Sequence, residues 1–186
     1  MNIGLDFDET LVSSSLALKK SLEELGEILN NPIIFQDNYN SMKLEDILEI
    51  AFPFHLRSIA KMKFMELYPV TGIPLIKWKT QALDLLAELK RLNHKLYIIS
   101  AKQQSNLELA LAHIDGRKYF HEIFGGVHGQ EKAQYIQDFE IEIYLGDSIQ
   151  DMKAAELAGV KGIQLTPKRI HDNQIVELLE FLNYVS

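Results

Sequence analysis

The sequence predicts an α/β fold in which a doubly wound parallel sheet is interrupted by an all-helical insertion. Short apolar runs alternate with amphipathic stretches of helical period, which is typical of βαβ units around a parallel sheet. Residues 13–77 break this alternation, because they contain helix-forming stretches and no clear strand pattern. We therefore expect the 186-residue chain to form a core from residues 1–12 and 78–186, with residues 13–77 as a helical cap.

Five apolar runs predict the strands of the sheet, and all of them lie in the core. In chain order they are Asn2–Phe7, Lys95–Ser100, Glu122–Val127, Ile141–Gly146 and Val160–Leu165. The third run has the weakest apolar signal. The lengths of these runs and the helical patterns between them favour a parallel sheet with crossover helices.

Two apolar stripes and one capping pattern predict helices of the core. The stripes consist of Leu83, Leu86, Leu89 and Leu92, and of Ile175, Leu178, Leu179 and Leu182 near the end of the chain. Their spacing is that of one face of a helix. Ser105 and Glu108 have the spacing of a capping box, which predicts that a further helix opens there.

The predicted cap contains three helix-forming stretches. They are Leu16–Leu29, Leu44–Phe52 and His55–Leu67, separated by Asn30–Pro32 and by Pro53. Because the insertion follows the carboxyl end of the first strand, where open sheets bind ligands, we expect a separate lid. The alternative is a set of extra helices packed on the sheet.

Composition excludes several classes of function. The chain has no Cys, which excludes disulfide scaffolds, Cys-ligated metal sites and thiol nucleophiles. Its 19 Lys and Arg against 26 Asp and Glu give a net charge of −7, which argues against a broadly basic nucleic-acid surface. The first residues lack the features of a targeting signal, and no run approaches the ~20 apolar residues that cross a bilayer. We therefore expect a cytoplasmic protein with neither a nucleic acid nor a membrane as partner.

Polar residues converge on the carboxyl ends of the predicted strands, which share one edge of a parallel sheet. They are Asp6, Asp8 and Thr10 after the first strand, Ser100 and Lys102 after the second, Asp147, Ser148 and Asp151 after the strand from Ile141, and Lys132 beyond a glycine-bearing loop. Taken alone, each has a simpler explanation: an Asp-x-Asp turn, a helix cap at Ser148 and Asp151, or a solvated lysine. Their convergence on one edge favours a functional site.

The four carboxylates of this edge would repel one another strongly unless a cation neutralised them. Mg²⁺ is the cation that fits, because it takes oxygen ligands and is usually held by one or two carboxylates together with substrate phosphate. The absence of Cys and of a His pair at ligand spacing disfavours zinc. A Mg²⁺ ion beside Ser and Lys donors is typical of a phosphoryl-transfer site.

These residues resemble the motifs of the haloacid-dehalogenase-like superfamily. Residues 2–12, NIGLDFDETLV, resemble its first motif, an apolar strand followed by Asp-x-Asp-x-Thr. Ser100 resembles the second motif, Lys132 the third, and Gly146-Asp147-x-x-x-Asp151 the fourth. All four occur in the right order and frame the core. The third motif is a single lysine, whereas the first and the fourth together are specific.

The resemblance implies a Rossmann-like core and covalent catalysis. Asp6 would be the nucleophile that forms an aspartyl-phosphate. Asp8 would act as general acid toward the leaving oxygen and then as general base for the hydrolytic water. Dehalogenase and phosphonate-cleaving members lack an acid at the position of Asp8, so the resemblance points to phosphate esters.

The resemblance also implies a set of ligands. Mg²⁺ would be held by Asp6, the backbone carbonyl of Asp8 and Asp147, with Asp151 acting through water or through a neighbouring ligand; Ser100 and Lys132 would hold phosphoryl oxygens, and Thr10 would order the phosphate-binding loop. The helical insertion resembles the small cap of the phosphoglycolate-phosphatase-like branch. Two positions depart from many relatives, since Glu9 replaces a Gly and Ala133 a Pro. No single substrate is therefore assigned by analogy.

Polar residues near the predicted helix ends of the cap are candidate substrate contacts. They are Ser41, Lys43, His55 and Arg57. An ordinary solvated face is the simpler interpretation of this set. The same holds for His113, His121 and His128, of which His128 is the most plausible exception because it precedes Lys132 in the glycine-bearing loop.

The sequence thus predicts a Mg²⁺-dependent phosphatase that hydrolyses a small phosphorylated metabolite through an aspartyl-phosphate. A phosphomutase or phosphotransferase that uses the same residues is one alternative. A phospho-acceptor signalling module is another. Receiver domains share clustered carboxylates, a Ser or Thr and a Lys, but they place the acceptor Asp on a different strand and lack a long helical insertion.

Overall fold

The computed structural model describes residues 1–36, 38–39 and 42–185. The chain forms two compact units. The first, the core unit, contains Met1–Ser13 and the chain from Lys77 onward, and the second, the helical unit, contains Ser14–Ile76. No helix of the described residues is both long enough and apolar enough to span a membrane.

The core unit contains every strand of the described chain. In chain order the strands are β1 (Asn2–Leu5), β2 (Val12–Ser13), β3 (Lys77–Trp78), β4 (Lys95–Ile99), β5 (Glu122–Phe124), β6 (Ile143–Gly146), β7 (Lys161–Leu165) and β8 (Gln174–Ile175). The α-helices are α1 (Ser15–Ile28), α2 (Leu44–Ala51) and α3 (Phe54–Leu67) in the helical unit, and α4 (Ala82–Arg91), α5 (Gln104–His113), α6 (Gly129–Asp138) and α7 (Ile149–Ala158) in the core unit.

The main sheet has six parallel strands in the order β5-β4-β1-β6-β7-β8. The chain builds outward from β1 to β5 and then returns to β6 on the other side of β1, so the strand order reverses beside β1. Ligands bind at the carboxyl ends of the strands around such a reversal. The predicted α/β fold with a doubly wound parallel sheet is therefore confirmed.

The central strands are buried on both faces, as parallel strands between helical layers are. Ile3, Leu5, Ile98 and Leu145 are fully buried. Gly4 makes room for a large aromatic side chain, because a Cβ there would lie 2.6 Å from the ring of Tyr144. Packing in the interior of the sheet thus holds the central strands in place, and the polar loops begin at the ends of these strands.

Several strands are shorter than predicted. β1 ends at Leu5 rather than at Phe7, because the Phe7 carbonyl already accepts hydrogen bonds from the backbone of Leu11 and Val12 and turns the chain. β6 begins at Ile143 rather than at Ile141, since the Ile141 amide donates to the Ile136 carbonyl at the end of α6. The two-residue strands β2 and β3, which pair antiparallel, were not predicted.

The predicted helix through Ile175, Leu178, Leu179 and Leu182 is wrong at Ile175 and holds as a 3₁₀-helix for the other three residues. Ile175 is fully buried in β8, where it pairs with Leu165 of β7. A 3₁₀-helix follows at Leu178–Tyr184 and is opened by reciprocal capping between Glu177 and Glu180. A short apolar run fits a buried strand and a helix equally well, which explains the error.

The predicted capping box at Ser105 is also wrong. α5 begins at Gln104. Its N-cap residue is Gln103, whose side chain makes no capping hydrogen bond. Ser105 therefore lies inside the first turn. The spacing of Ser105 and Glu108 has no capping role here, because the helix opens two residues earlier than this box predicts.

The helical unit is built by α1, α2 and α3, which begin and end within one residue of the predicted stretches. Phe64 and Tyr68 stack at 5.3 Å between ring centroids, and Leu22 and Leu25 are fully buried. Gly72 is required at the π-helical turn after α3, because a Cβ there would lie 2.8 Å from the Tyr68 ring. A role of this unit as a cap stays a prediction.

Candidate active site

The loop after β1 folds back on itself and brings Asp6 and Thr10 together. The Thr10 hydroxyl lies 3.4 Å from Asp6 Oδ2 and donates a hydrogen bond to Asp147 Oδ1 at 3.1 Å. Asp6 and Thr10 are both buried. Glu9 adopts a left-handed conformation with φ of 54° in this turn. This is the conformation that glycine adopts without strain and that other residues adopt less readily.

The loop after β6 opens α7 with the predicted capping box. Ser148 Oγ accepts a hydrogen bond from the Asp151 amide at 3.1 Å, and Asp151 Oδ2 accepts one from the Ser148 amide at 3.1 Å. A Cβ on Gly146 would lie 2.5 Å from the Asp151 carboxyl carbon. Gly146 therefore leaves the space into which the Asp151 carboxylate reaches.

Lys132 lies in α6 and connects the two loops. Its ammonium donates to Asp6 Oδ1 at 3.1 Å and to Asp151 Oδ1 at 2.6 Å. The side chain is buried, and Nζ lies 5.6 Å from the centroid of the Tyr144 ring. The interpretation of Lys132 as a solvated surface lysine is therefore wrong.

The three carboxylates of these loops form a tight, incompletely neutralised cluster. One oxygen each from Asp6, Asp147 and Asp151 lies within 4.8 Å of the others. Lys132 is the cation in contact with two of them. Three carboxylates around one ammonium leave an excess of negative charge in a buried place, and this favours protonation or a bound cation.

This excess charge shifts the pKa values of the site. Burial raises the pKa of Asp6 well above its ordinary value; Lys132 lowers it, and the neighbouring carboxylates add to the rise. The pKa of Asp147 is raised to about 6 by burial and by Asp151, against the lowering effect of the Thr10 hydrogen bond. Burial opposes the charge on Lys132, yet attraction to Asp6 and Asp151 holds the Lys132 pKa well above its usual range.

Asp8 is not one of the three clustered carboxylates, although its charge adds to the rise of the Asp6 pKa, and it pairs with a different lysine. Lys102 Nζ lies 3.1 Å from Asp8 Oδ1. Lys102 follows Ser100 in the loop after β4, and its amide donates a hydrogen bond to Ser100 Oγ at 3.2 Å. Ser100 itself is buried, and its amide donates to the Phe124 carbonyl of the neighbouring strand.

Sequence reasoning noted Lys102 at a strand end but gave it no role, and it missed two other groups around Asp147. Gln164 Nε2 donates to the Asp147 carbonyl at 2.9 Å, and Gln174 Nε2 donates to Gln164 Oε1 at 2.9 Å. The signal for Lys102 was available, since a cation two residues after Ser100 belongs to the same sheet edge. The glutamine pair has no such signal, because it depends on the pairing of β7 with β8.

The predicted contacts of the helical unit have mixed positions. Ser41 lies outside the described residues. Lys43 and His55 are exposed, at the N-cap of α2 and in the first turn of α3. Arg57 is bound within its own unit, because it pairs with Glu49 at 3.0 Å and donates to the Phe52 carbonyl at 3.1 Å. These contacts give Arg57 a structural task between α3 and the end of α2.

The histidines of the core unit have separate surroundings. His113 is exposed at the end of α5, and the His121 ring packs edge-on against Tyr97 at 5.4 Å between centroids. His128 is the N-cap residue of α6, the helix that carries Lys132. Of the three, His128 has the position closest in sequence to the site.

The sequence was compared with family models and with curated proteins. The family model described as haloacid dehalogenase-like hydrolase matches residues 3–165. Among curated proteins, none matches the sequence significantly.

Solved structures share the fold across nearly their whole length. A haloacid dehalogenase-like family hydrolase from Streptococcus pneumoniae has a TM-score of 0.86 at 22% identity, covering 100% of this chain and 98% of its own. A predicted phosphoglycolate phosphatase from Haemophilus somnus has a TM-score of 0.83 at 18% identity, covering 100% and 97%. A subfamily IA hydrolase from Geobacter sulfurreducens has a TM-score of 0.77 at 16% identity, covering 100% and 96%.

Proposed function

We propose that this chain, which belongs to the haloacid dehalogenase-like hydrolase family, is a Mg²⁺-dependent phosphatase that hydrolyses a small phosphomonoester. One observation carries the proposal. The buried Asp6 carboxylate is held between the Lys132 ammonium and the Thr10 hydroxyl, and its oxygen lies within 4.8 Å of oxygens of Asp147 and Asp151. An arrangement of this kind suits attack on a phosphoryl group, whose negative charge needs cationic partners.

Asp6 is the proposed nucleophile. One of its carboxylate oxygens bonds to the phosphorus while the bond from phosphorus to the ester oxygen breaks. This gives an aspartyl-phosphate on Asp6 and an alcohol as leaving group. Lys132 contacts Asp6 Oδ1 and therefore lies where it can stabilise charge on the transferring group.

Asp8 is the proposed proton carrier. It gives a proton to the leaving oxygen in the first step. In the second step it takes a proton from the water that attacks the aspartyl-phosphate, which releases phosphate and restores both aspartates. The separation of Asp8 from the Lys132 cluster supports this division, because the Asp8 carboxyl pairs with Lys102 instead.

The donor set fits Mg²⁺. Carboxylate oxygens are the ligands that this ion takes in proteins, and the cluster has more negative charge than Lys132 neutralises. We propose that Asp6, Asp147 and the backbone carbonyl of Asp8 hold the ion. When bound, Mg²⁺ supplies positive charge that stabilises the phosphoryl oxygens.

Asp151 has a different place in the proposal. Oδ1 of Asp151 accepts from Lys132, and Oδ2 accepts from the amide and the hydroxyl of Ser148. Because its two oxygens accept three hydrogen bonds, one of them from Lys132, we propose that Asp151 orients Lys132 and acts on the ion through water. We further propose that Ser100 and Lys132 hold phosphoryl oxygens, and that the helical unit supplies substrate specificity.

The test is a screen of the purified full-length chain against phosphomonoesters, with Mg²⁺ or with EDTA, and with Asp6→Asn as blank. We expect phosphate release that requires Mg²⁺ and that is absent in Asp6→Asn. Equal release by Asp6→Asn would overturn the proposal. Added sugar or nucleoside acceptors separate transfer to water from transfer to an alcohol, and a phosphorylated Asp6 that persisted for many minutes would favour a signalling module.

A further inference from the structure

A second lysine of the site, Lys102, contacts the proposed proton carrier Asp8. Lys102 Nζ lies 3.1 Å from Asp8 Oδ1, and the Lys102 side chain is only 8% exposed. The Asp8 side chain is 28% exposed, but the Oδ1 atom that faces Lys102 is buried and accepts no hydrogen bond from the described residues, so the contact is an ion pair. A partly buried pair of this kind restricts both side chains far more than an exposed surface pair does.

The backbone of Lys102 is held from both sides. Its amide donates to Ser100 Oγ at 3.2 Å, and its carbonyl accepts from the Gly126 amide at 2.7 Å. Gly125 passes so close that a Cβ there would lie 2.7 Å from the Lys102 carbonyl oxygen. The Gly125 amide is in turn bound to Gln104 Oε1 at 2.6 Å. The base of the lysine side chain is therefore fixed before the side chain reaches Asp8.

The two lysines divide the aspartates between them. Lys132 contacts Asp6 and Asp151, and Lys102 contacts Asp8. The proposed proton carrier, Asp8, thus has its own lysine. It does not compete with Asp6 for Lys132. A general acid works only within hydrogen-bond reach of the leaving oxygen, so the orientation of its carboxyl matters directly to the rate.

We propose that Lys102 is a positioning residue that orients the Asp8 carboxyl for proton transfer to and from the leaving-group side of the substrate. The inference rests on the proposed phosphatase function, because it assigns the partner of its general acid. Lys102 acts through Asp8 and not by contact with the transferring phosphoryl group.

The dependence of rate on leaving group provides a specific readout. An ester whose leaving oxygen is weakly basic, such as p-nitrophenyl phosphate, needs little protonation, whereas an ester with a strongly basic oxygen needs it most. We expect Lys102→Met to lower kcat for unsubstituted phenyl phosphate by about 10- to 100-fold more than for p-nitrophenyl phosphate, a range below the full contribution of a general acid. We expect KM for both esters to change little.

Two further variants test the route through Asp8. Lys102→Arg keeps the charge and should retain most of the wild-type dependence on leaving group. The double variant Lys102→Met/Asp8→Asn should be no slower than Asp8→Asn alone, because residues that act as one unit are not additive. Lys79→Met is the matched control. Lys79 pairs at 3.7 Å with Glu9, the residue that follows Asp8 in the chain. We expect this variant to change kcat for all esters by the same factor.

The outcomes separate this inference from the proposed function. Suppose that the wild type is active. The positioning role is then overturned if Lys102→Met slows every ester by the same factor, if it raises only KM, or if its loss adds to that of Asp8→Asn. The phosphatase function would stand in each case. If Lys102→Met fails to fold, Lys102→Gln takes its place: a changed leaving-group dependence supports the role, and a thermal unfolding midpoint that falls without such a change contradicts it. A wild type that releases no phosphate from any ester removes both proposals together.

Discussion

Charges are arranged in opposite ways in two regions of the molecule, the buried carboxylate cluster of the core unit and the surface of the helical unit. In the cluster, oxygens of Asp6, Asp147 and Asp151 lie within 4.8 Å of one another, and the Lys132 ammonium contacts Asp6 and Asp151. On the helical unit, exposed acids and bases form ion pairs: Lys20–Glu23, Glu45–Lys61, Glu49–Arg57 and Lys63–Glu66. The helical unit thus pairs charges where water screens them, whereas the cluster leaves negative charge unpaired where burial makes that costly.

The difference separates function from stability. Exposed pairs contribute little to the free energy of unfolding, because solvent screens them and ordering two long side chains costs entropy. A buried excess of negative charge destabilises the fold, and the raised pKa values of Asp6 and Asp147 report that cost. Shifted pKa values at strand ends are typical of functional sites, which is the reason to look for the chemistry at the cluster.

The largest expected effect comes from Asp6→Asn. The substitution keeps the shape of the side chain but removes the proposed nucleophile, so we expect kcat to fall by about 10⁴-fold or more. Asp46→Asn, an exposed acid in the first turn of α2, should leave kcat unchanged. Steady-state rates on the best ester from the screen measure both. A loss of less than tenfold in Asp6→Asn would mean that the cluster is not the reacting centre.

Asp147→Asn should separate metal binding from folding. The amide keeps the acceptor for the Thr10 hydroxyl but is a far weaker ligand for Mg²⁺. We expect the Mg²⁺ concentration for half-maximal activity to rise by about tenfold to a hundredfold. Asp138→Asn, at the end of α6 with a hydrogen bond from Gln134, is the control and should leave the Mg²⁺ titration unchanged. An unchanged titration in Asp147→Asn would contradict the proposed ligand set.

Much of the site could be located from the sequence because parallel strands end at one edge. Asp6 and Asp147 follow short apolar runs, and the pairing of β1 with β6 brings the two loops together. The same argument placed Ser100 at the edge through β4. Apolar periodicity therefore carries enough information for the strand ends and for the residues that follow them directly.

The rest depended on contacts that sequence periodicity does not encode. Burial of Lys132 follows from the position of α6, and the contact of Lys102 with Asp8 follows from the conformations of two loops. Ile175 was assigned to a helix because a two-residue edge strand has no period of its own. Loop conformation and edge pairing are set by tertiary contacts, so they emerge only in the folded chain.

The pH dependence of stability should show the cost of the cluster. The pKa of Asp147 is about 6 in the folded state against an ordinary value of 3.8. The folded state therefore holds this proton more tightly than the unfolded chain does. The associated stabilisation is complete below pH 4 and is lost as the pH rises through about 6.

We expect the metal-free protein to lose about 1–3 kcal/mol of unfolding free energy through Asp147 between pH 4 and 7, less where solvent screens the group. Urea unfolding in EDTA of the wild type and of Asp147→Asn isolates this part, because the variant lacks the titrating group. Mg²⁺ should restore the stability of the wild type at pH 7. If the unfolding free energies of the two proteins differ by the same amount at both pH values, the surroundings of Asp147 do not destabilise its charged form.

The smallest expected effect lies on the helical unit, at the Lys61–Glu45 pair. Lys61 Nζ and Glu45 Oε1 are 2.6 Å apart, and both side chains are more than half exposed. We expect Glu45→Gln to change the unfolding free energy by less than about 0.5 kcal/mol, with no change in kcat. The same urea titrations, repeated at low and high salt, measure it. A larger loss would mean that short distance alone makes an ion pair stabilising, and then the imbalance at Asp6, Asp147 and Asp151 could not be interpreted as a mark of function. Comparing Glu45→Gln with Asp147→Asn in one experiment therefore tests whether burial, and not proximity, decides what a charge does in this fold.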